Sequence, residues 1–78
     1  MNDQEIPEFN AGFKIIESKR VLIVDGTIPE TPHSIVLAYS ENDSKYVTWL
    51  FNHRDGGFHW GHYFTNYSNA KKDFINRD

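Results

Sequence analysis

The four histidines are the side chains in this sequence with the clearest capacity for metal binding or proton transfer. His59 and His62 form the run H-W-G-H, His53 precedes them, and His33 lies further upstream. Residues three apart on a strand point to opposite faces, so His59 and His62 do not share a metal. His53 and His62 share a face, but a two-residue hairpin loop holds them roughly 13 Å apart along the ladder. No metal site is predicted, and a metal-dependent or hydrolytic enzyme would require His53 and His62 to converge.

Covalent and acid–base catalysis have no recognisable signature in the chain. A serine nucleophile needs a base and an orienting group, and the serines here lie at predicted turns and strand ends. Asp25 and Asp55 each precede a glycine and are explained as turn residues. The Gly56-Gly57 pair lacks the lysine and helix that follow a phosphate-binding loop. No catalytic residue and no cofactor are predicted.

Aromatic residues concentrate in residues 46–65, YVTWLFNHRDGGFHWGHYFT. Asp55-Gly56 between two strand-like runs predicts a β-hairpin with a two-residue type I′ turn. Side-chain alternation then places on one face Val47, Trp49, Phe51, Phe58, Trp60 and Phe64. The other face carries Tyr46, Thr48, Leu50, Asn52, His59 and Tyr63. We expect the first face to be core and the second to meet solvent or a partner.

The register of this hairpin depends on its loop and on Gly61. A four-residue loop would preserve both faces, whereas a three-residue loop would flip one strand. A glycine inside a strand often marks a bulge. A bulge at Gly61 would send Tyr63 inward and Phe64 outward.

The chain before the hairpin predicts further strands. Residues 13–24 form either one long, bent strand or two short ones, and the polar break favours two, over 13–17 and 20–24. Asp25-Gly26 then forms a turn, and residues 27–32 form a loop because two prolines lack ladder donors. Residues 33–40 form a strand that is apolar on both faces, which is typical of a central strand. Residues 41–44, ENDS, form a turn.

The spacing of apolar residues changes after Thr65 from that of a strand to that of a helix. Residues 67–77 therefore predict a helix capped by Asn66 or Thr65. Tyr67, Ala70 and Phe74 lie on one stripe. We expect this stripe to pack on the aromatic face of the hairpin. The predicted fold is an α+β domain, with an antiparallel β-meander of three to four strands and one C-terminal helix packed on one face.

Composition narrows the remaining function classes. The chain has 78 residues, no cysteine and a formal charge of −3. Residues 1–11 carry three uncompensated carboxylates and predict a flexible acidic arm, whereas residues 12–78 form one nearly neutral domain. A near-neutral domain argues mildly against nucleic-acid binding. The absence of a long apolar run and of a signal-peptide pattern predicts a cytoplasmic protein without membrane contact.

The run FHWGHYF and the helix residues NAKKDFINR, with the strand before them, form a pattern that resembles short uncharacterised proteins of Gram-positive bacteria and their phages. The matching positions are Trp49, Trp60, Gly61, Tyr63, Phe64, Ala70, Phe74 and Arg77. The resemblance implies a strand followed by a helix and a bacterial or phage source. It implies no activity.

The sequence therefore predicts a small non-enzymatic module that binds another protein. The candidate contact patch is Tyr46, Leu50, His59 and Tyr63, on the face of the hairpin away from the predicted core. A single-stranded nucleic-acid binder that uses the sheet aromatics, with Tyr46, His59 and Tyr63 beside nearby lysines and arginines, is the main alternative. A homodimer through a sheet edge is also open.

Overall fold

The computed structural model describes residues 4–23 and 31–77, which hold five strands and one helix. These are β1 (Phe9–Asn10), β2 (Phe13–Ile23), β3 (Thr31–Ser40), β4 (Lys45–Asn52), β5 (Gly57–Phe64) and α1 (Tyr67–Asn76). The strands form one antiparallel sheet in the order β1-β2-β3-β4-β5. The α+β class and the C-terminal helix are confirmed, but the sheet has five strands rather than three or four.

The additional strand, β1, lies inside the segment that was predicted as a flexible arm. Phe9 pairs with Lys14, and Asn10 pairs with Phe13. The tight turn between them holds Ala11 at φ 52° and Gly12 at φ 83°. A strand of two residues is too short to show a period of two, so the sequence pattern could not reveal it. The sheet thus begins before residue 12, whereas the flexibility of residues 1–11 stays a prediction.

Strand β2 is one long strand, so the preference for two short ones was wrong. A bulge between Ile15 and Glu17 shifts the register, and pairing with β3 continues on both sides of it. The polar residues that were taken as a break remain in the ladder, with Ser18 opposite Val36. Residue 24, the predicted Asp25-Gly26 turn and residues 27–30 lie outside the described residues. The last two residues of the predicted loop belong to β3.

Strand β3 is buried on both faces, which confirms its prediction as a central strand. Its middle residues are at most 1 % exposed: Ile35, Val36, Leu37 and Ala38. Helix α1 covers one face of the sheet, which we call the helix face. There Ala70 and Phe74 pack against Ile35, Leu37 and Leu50.

The helix itself is as predicted, but its location is not. Asn66 caps it by accepting the Asn69 backbone N–H at 2.8 Å. The helix does not pack on the aromatic face of the hairpin, which was the expectation. The helix face is equally apolar along β3 and also offers polar partners, since Glu17 and Thr48 bond Lys71 and Asp73 of α1.

The second core lies on the opposite side of the sheet, which we call the strap face. It consists of Phe13, Val36, Ala38, Val47, Trp49 and Phe51. Two strands separate β2 from β5, a backbone distance of about 14 Å in a flat sheet. The rings of Phe13 and Tyr63 are nevertheless 6.1 Å apart, because the sheet curls around this core.

Residues 4–8 cross this face, and we call them the strap. The Gln4 N–H donates to the His53 carbonyl at 2.6 Å, and the Ile15 N–H donates to the Glu8 carbonyl at 2.9 Å. Between these two anchors, Ile6 packs against the strap-face core. The strap therefore closes the concave side of the sheet that the helix does not cover.

The hairpin has a four-residue loop, residues 53–56, instead of the predicted two-residue turn. Asn52 pairs with Gly57, and the Gly56 N–H donates to the Asn52 carbonyl at 2.8 Å. The ladder then shifts, because Leu50 faces His59 but Thr48 faces His62. The bulge at Gly61, one of the alternatives that the sequence left open, is thus the arrangement found.

The bulge corrects the predicted facing of Trp60, Tyr63 and Phe64, and it also places His62 on the same face as His59, although the two were expected on opposite faces. Trp60 was expected in the core and is 72 % exposed. Phe64 faces Tyr46 and packs on the helix-face core, whereas Tyr63 faces Val47 on the strap face. Val47, Trp49, Phe51 and Phe58 lie on one face as predicted.

The two tryptophans therefore make opposite predictions for stability. We expect Trp49→Ala to lower the free energy of unfolding by about 3–5 kcal/mol, as large aromatic truncations in cores do. Its ring is 6 % exposed and lies 5.5 Å from Phe13 and 5.2 Å from Phe58. Trp60→Ala is the matched control, with an expected change within about 0.5 kcal/mol. Urea unfolding followed by circular dichroism measures both, and equal losses would contradict this core.

Candidate functional site

The four residues of the predicted contact patch do not form one surface. Leu50 is 4 % exposed beneath α1, and Tyr46 is half-buried between Tyr39 and Tyr67, with ring centroids at 4.6 and 5.7 Å. His59 is exposed at the edge of the same face, opposite Leu50. Tyr63 lies on the other face of the sheet. The patch therefore divides because the helix covers its centre and the bulge turns Tyr63 over.

Trp60 is the exposed aromatic residue that the sequence analysis placed in the core. Its side chain is 72 % exposed, and its backbone has φ 53°. The left-handed region costs an L-residue other than glycine roughly 1–2 kcal/mol, and a bulky residue there is a true outlier. Such strain is found most often at binding and catalytic sites. Trp60 thus combines two features that stability alone does not favour.

The bulge that holds Trp60 depends on the glycine that follows it. A Cβ atom at Gly61 would lie 2.8 Å from Nε1 of Trp49 and 3.1 Å from the ring of Tyr63. The backbone can approach the Trp49 indole this closely only where there is no side chain. The glycine is therefore required at position 61, and the left-handed residue before it is a tryptophan.

Tyr63 is a second exposed aromatic residue on the same strand. It is 59 % exposed, and its ring meets Phe13 and Trp49 edge-on at 6.1 and 6.4 Å. Within the described residues, β5 pairs only with β4, so it is an edge of the sheet. We call Trp60 and Tyr63 the edge aromatic pair. The sequence feature that could have indicated this pair is Gly61. A bulge at Gly61 was predicted to turn Tyr63 and Phe64, but its effect on Trp60 was not considered.

His53 and His62 do not converge. His53 is buried, and its Nδ1–H donates to the Gln4 carbonyl at 2.8 Å. The other ring nitrogen therefore accepts from the Ser34 hydroxyl at 2.7 Å in the neutral ring. A serine bonded to an oriented histidine is a feature of nucleophilic sites. Here Ser34 is 3 % exposed, and the pair joins the strap to the sheet.

His62 instead belongs to a polar cluster on the helix face. Its Nδ1–H donates to Asp73 Oδ2 at 3.0 Å, and Thr48 Oγ1 donates to the same oxygen at 2.6 Å. Arg77 donates to the carbonyl and to the hydroxyl of Thr48, at 3.1 and 3.0 Å. These bonds tie the C-terminal half of α1 to β4 and β5.

Burial and the hydrogen bonds of this cluster change the pKa of the Asp73 carboxyl group. Burial opposes ionisation of its carboxyl group, but the hydrogen bonds from Thr48 and His62 outweigh burial, so the pKa of Asp73 lies below its usual value. A similar contact ties β2 to the helix, where Lys71 and Tyr67 both donate to Glu17. The hydrogen bond from Lys71, followed by that from Tyr67, lowers the pKa of Glu17. Because folding lowers both pKa values, the ionised forms of Asp73 and Glu17 stabilise the folded state.

Residues 4–23 and 31–77 contain no group of three or more histidine, aspartate or glutamate residues placed to hold a metal ion. Over the same residues, no helix has the length and apolar character needed to cross a membrane.

Comparison with known proteins finds no relative of the chain. No protein-family model matches it, and no similar protein is found among curated proteins or among solved structures. Inference about function therefore rests on the geometry of the described residues.

The strain at Trp60 has a direct test in two small substitutions. We expect the free energy of unfolding of Trp60→Gly to exceed that of Trp60→Ala by about 1 kcal/mol. The reason is that only glycine adopts φ 53° without strain. Both variants remove the same exposed side chain, and glycine in an ordinary strand is the less stable of the two. Equilibrium unfolding in urea measures the difference. A more stable alanine variant would show that position 60 carries no left-handed strain.

The polar cluster predicts an acid-dependent contribution to stability. Because the pKa of Asp73 is lowered by folding, its contribution is present above the ordinary aspartate pKa of about 4 and is lost as the pH falls through the lowered value. Asp73→Asn should therefore melt below the wild type at about pH 5, and the gap should narrow towards about pH 2. Melting followed by circular dichroism across this range measures the gap. If the difference in melting temperature between the two proteins did not change with pH, the loss of stability would come from packing and not from the charge of Asp73.

Proposed function

We propose that this chain is a small non-enzymatic module that binds another protein through the edge aromatic pair, Trp60 and Tyr63. The observation that carries the proposal is Trp60, which is held in a strained backbone conformation and exposes most of its ring. The bulge accounts for the backbone conformation at position 60 but not for a tryptophan there, and a contact outside the chain explains that residue type best.

The chemistry of the pair suits a protein partner. Tryptophan and tyrosine are the residues most enriched at the energetic centres of protein interfaces, because their large rings lose little conformational freedom on binding. Tyr63 is supported from behind by Phe13 and Trp49, so its ring is already positioned. A partner with a shallow apolar pocket would bury Trp60 and cover Tyr63.

The bulge also shapes how the edge is used. Bulges interrupt the row of free backbone groups on an edge strand and hinder the addition of another strand. Strand addition along the whole of β5 is therefore disfavoured, and contact through side chains is preferred. For the same reason, we do not favour a homodimer in which the β5 strands of two copies pair into one continuous sheet.

The alternatives have less support. Nucleic-acid binding was expected to use Tyr46, His59 and Tyr63 together, but Tyr46 is half-buried beside α1 and Tyr63 lies on the opposite face. A hydrolytic or metal-dependent enzyme needed His53 and His62 to meet, and they hold separate partners. A cytoplasmic location and a bacterial or phage source remain part of the proposal and rest on the sequence.

The experiment is an affinity capture from lysate with matched variants, with and without nuclease. We expect Trp60→Ala and Tyr63→Ala each to lose at least tenfold of the captured partner, since truncation of a central interface aromatic removes about 2 kcal/mol or more. Phe9→Ala is the control, because Phe9 is 58 % exposed at the opposite edge of the sheet. Equal capture by all the variants would contradict the proposed surface. Loss on nuclease treatment alone would favour the nucleic-acid alternative.

A further inference from the structure

Residues 4–6 lie against the strap face in the manner of a peptide held in a groove. Two backbone contacts anchor the segment at the end of β4: the Gln4 N–H donates to the His53 carbonyl at 2.6 Å, and the Gln4 carbonyl accepts from the His53 ring at 2.8 Å. Two residues further along, Ile6 packs against the strap-face core. This is how a protein groove holds an extended peptide, with backbone bonds for affinity and an apolar side chain for specificity.

The protein side of this groove comes from β3 and from the loop between β4 and β5. His53 is 6 % exposed, and its ring is held from the other side by Ser34, which lies on β3. The bond to Ser34 and the bond to Gln4 use both ring nitrogens, so the Nδ1 donor is aimed at the strap. Gly56 lies beside the Gln4 side chain, since a Cβ atom there would be 3.4 Å from Cγ of Gln4. A Cβ atom at that distance makes an ordinary van der Waals contact, so the φ of 76°, rather than room for the strap, explains the glycine.

The first residues of the strap are held by the two backbone bonds of Gln4 and by the packing of Ile6, whereas the Glu8 bond to Ile15 and the pairing of β1 hold the chain that follows. Gln4 itself is exposed, and the bonds of its backbone to His53 do not depend on its side chain. Any extended chain presents the same N–H and C=O groups. The requirement specific to sequence is an aliphatic side chain two positions later, where Ile6 lies.

We propose that this groove binds an extended peptide segment of a partner, with an aliphatic residue at the position of Ile6, and that the strap is its intramolecular competitor. The site is separate from the edge aromatic pair and does not depend on it. Tethering gives the strap an effective concentration in the millimolar range, so a free peptide binds only as well as it displaces the strap. Release of the strap exposes the groove without unfolding the sheet.

The test uses the full chain with the strap weakened. Ile6→Asp removes the apolar anchor, and Gln4→Pro removes the N–H that donates to His53. The probe is a blocked synthetic peptide with the sequence of residues 3–8, DQEIPE, titrated into isotope-labelled protein and followed by amide chemical shifts. Two variants are used so that a folding defect in one does not decide the result, and their undisturbed spectra report the fold.

We expect saturable shifts at Ser34, His53 and Gly56 in both variants, with an affinity at least tenfold higher than in the wild type. The control peptide DQEDPE, which lacks the aliphatic residue, should cause none of them. Absence of saturable shifts at these residues in two folded variants would overturn the proposal. Equal affinity for wild type and variants would also overturn it, because the strap would then not compete. Two copies of the wild type could instead exchange straps, which would be seen as a dimer at high concentration. The occupant of the groove would then be a second copy of this chain, and the proposal of a foreign peptide would be overturned.

Discussion

The central strand, β3, is apolar on both faces, and the rest of the structure depends on how those faces are covered. The one helix of the described residues, α1, covers only one face of the sheet. The other face is covered by curling the sheet around its own side chains and by laying the strap across the concave side. Two small cores therefore share β3 and β4, and each is stabilised by contacts that the other lacks.

The choice of face for the helix follows from polar chemistry as much as from apolar area. Both faces of β3 are buried, but only one presents Glu17 and Thr48 to the charged residues of α1. With these partners, Lys71 and Asp73 lie over the sheet without leaving a buried charge unpaired. On the strap face the same helix would have met the rings of Trp49 and Phe51. The polar residues of the helix thus determine which core it completes.

The bulge in β5 links the fold to the proposed contact surface. Close packing of Gly61 on the Trp49 indole stabilises the strap-face core and also rotates the strand by one residue. That rotation places Phe64 under the helix, Tyr63 on the strap face and Trp60 in solvent. One local irregularity therefore supplies a core contact and an exposed aromatic residue. The strap is a separate feature, held across the strap face by the Gln4 bond to His53 and by the Ile15 bond to Glu8.

The sequence by itself determined most of the elements and little of their arrangement. Alternation, turn residues and the Asn66 cap predicted β3, the hairpin strands and α1, because each is a local pattern set by backbone period and capping. The length of β2, the presence of β1 and the side of the sheet that the helix covers needed pairing between distant residues. Trp60 shows the reason most clearly: alternation placed it in the core, and a one-residue bulge reversed that placement. Side-chain facing on a strand has a period of two, so a contact as distant as Gly61 on Trp49 decides the face of every residue beyond it.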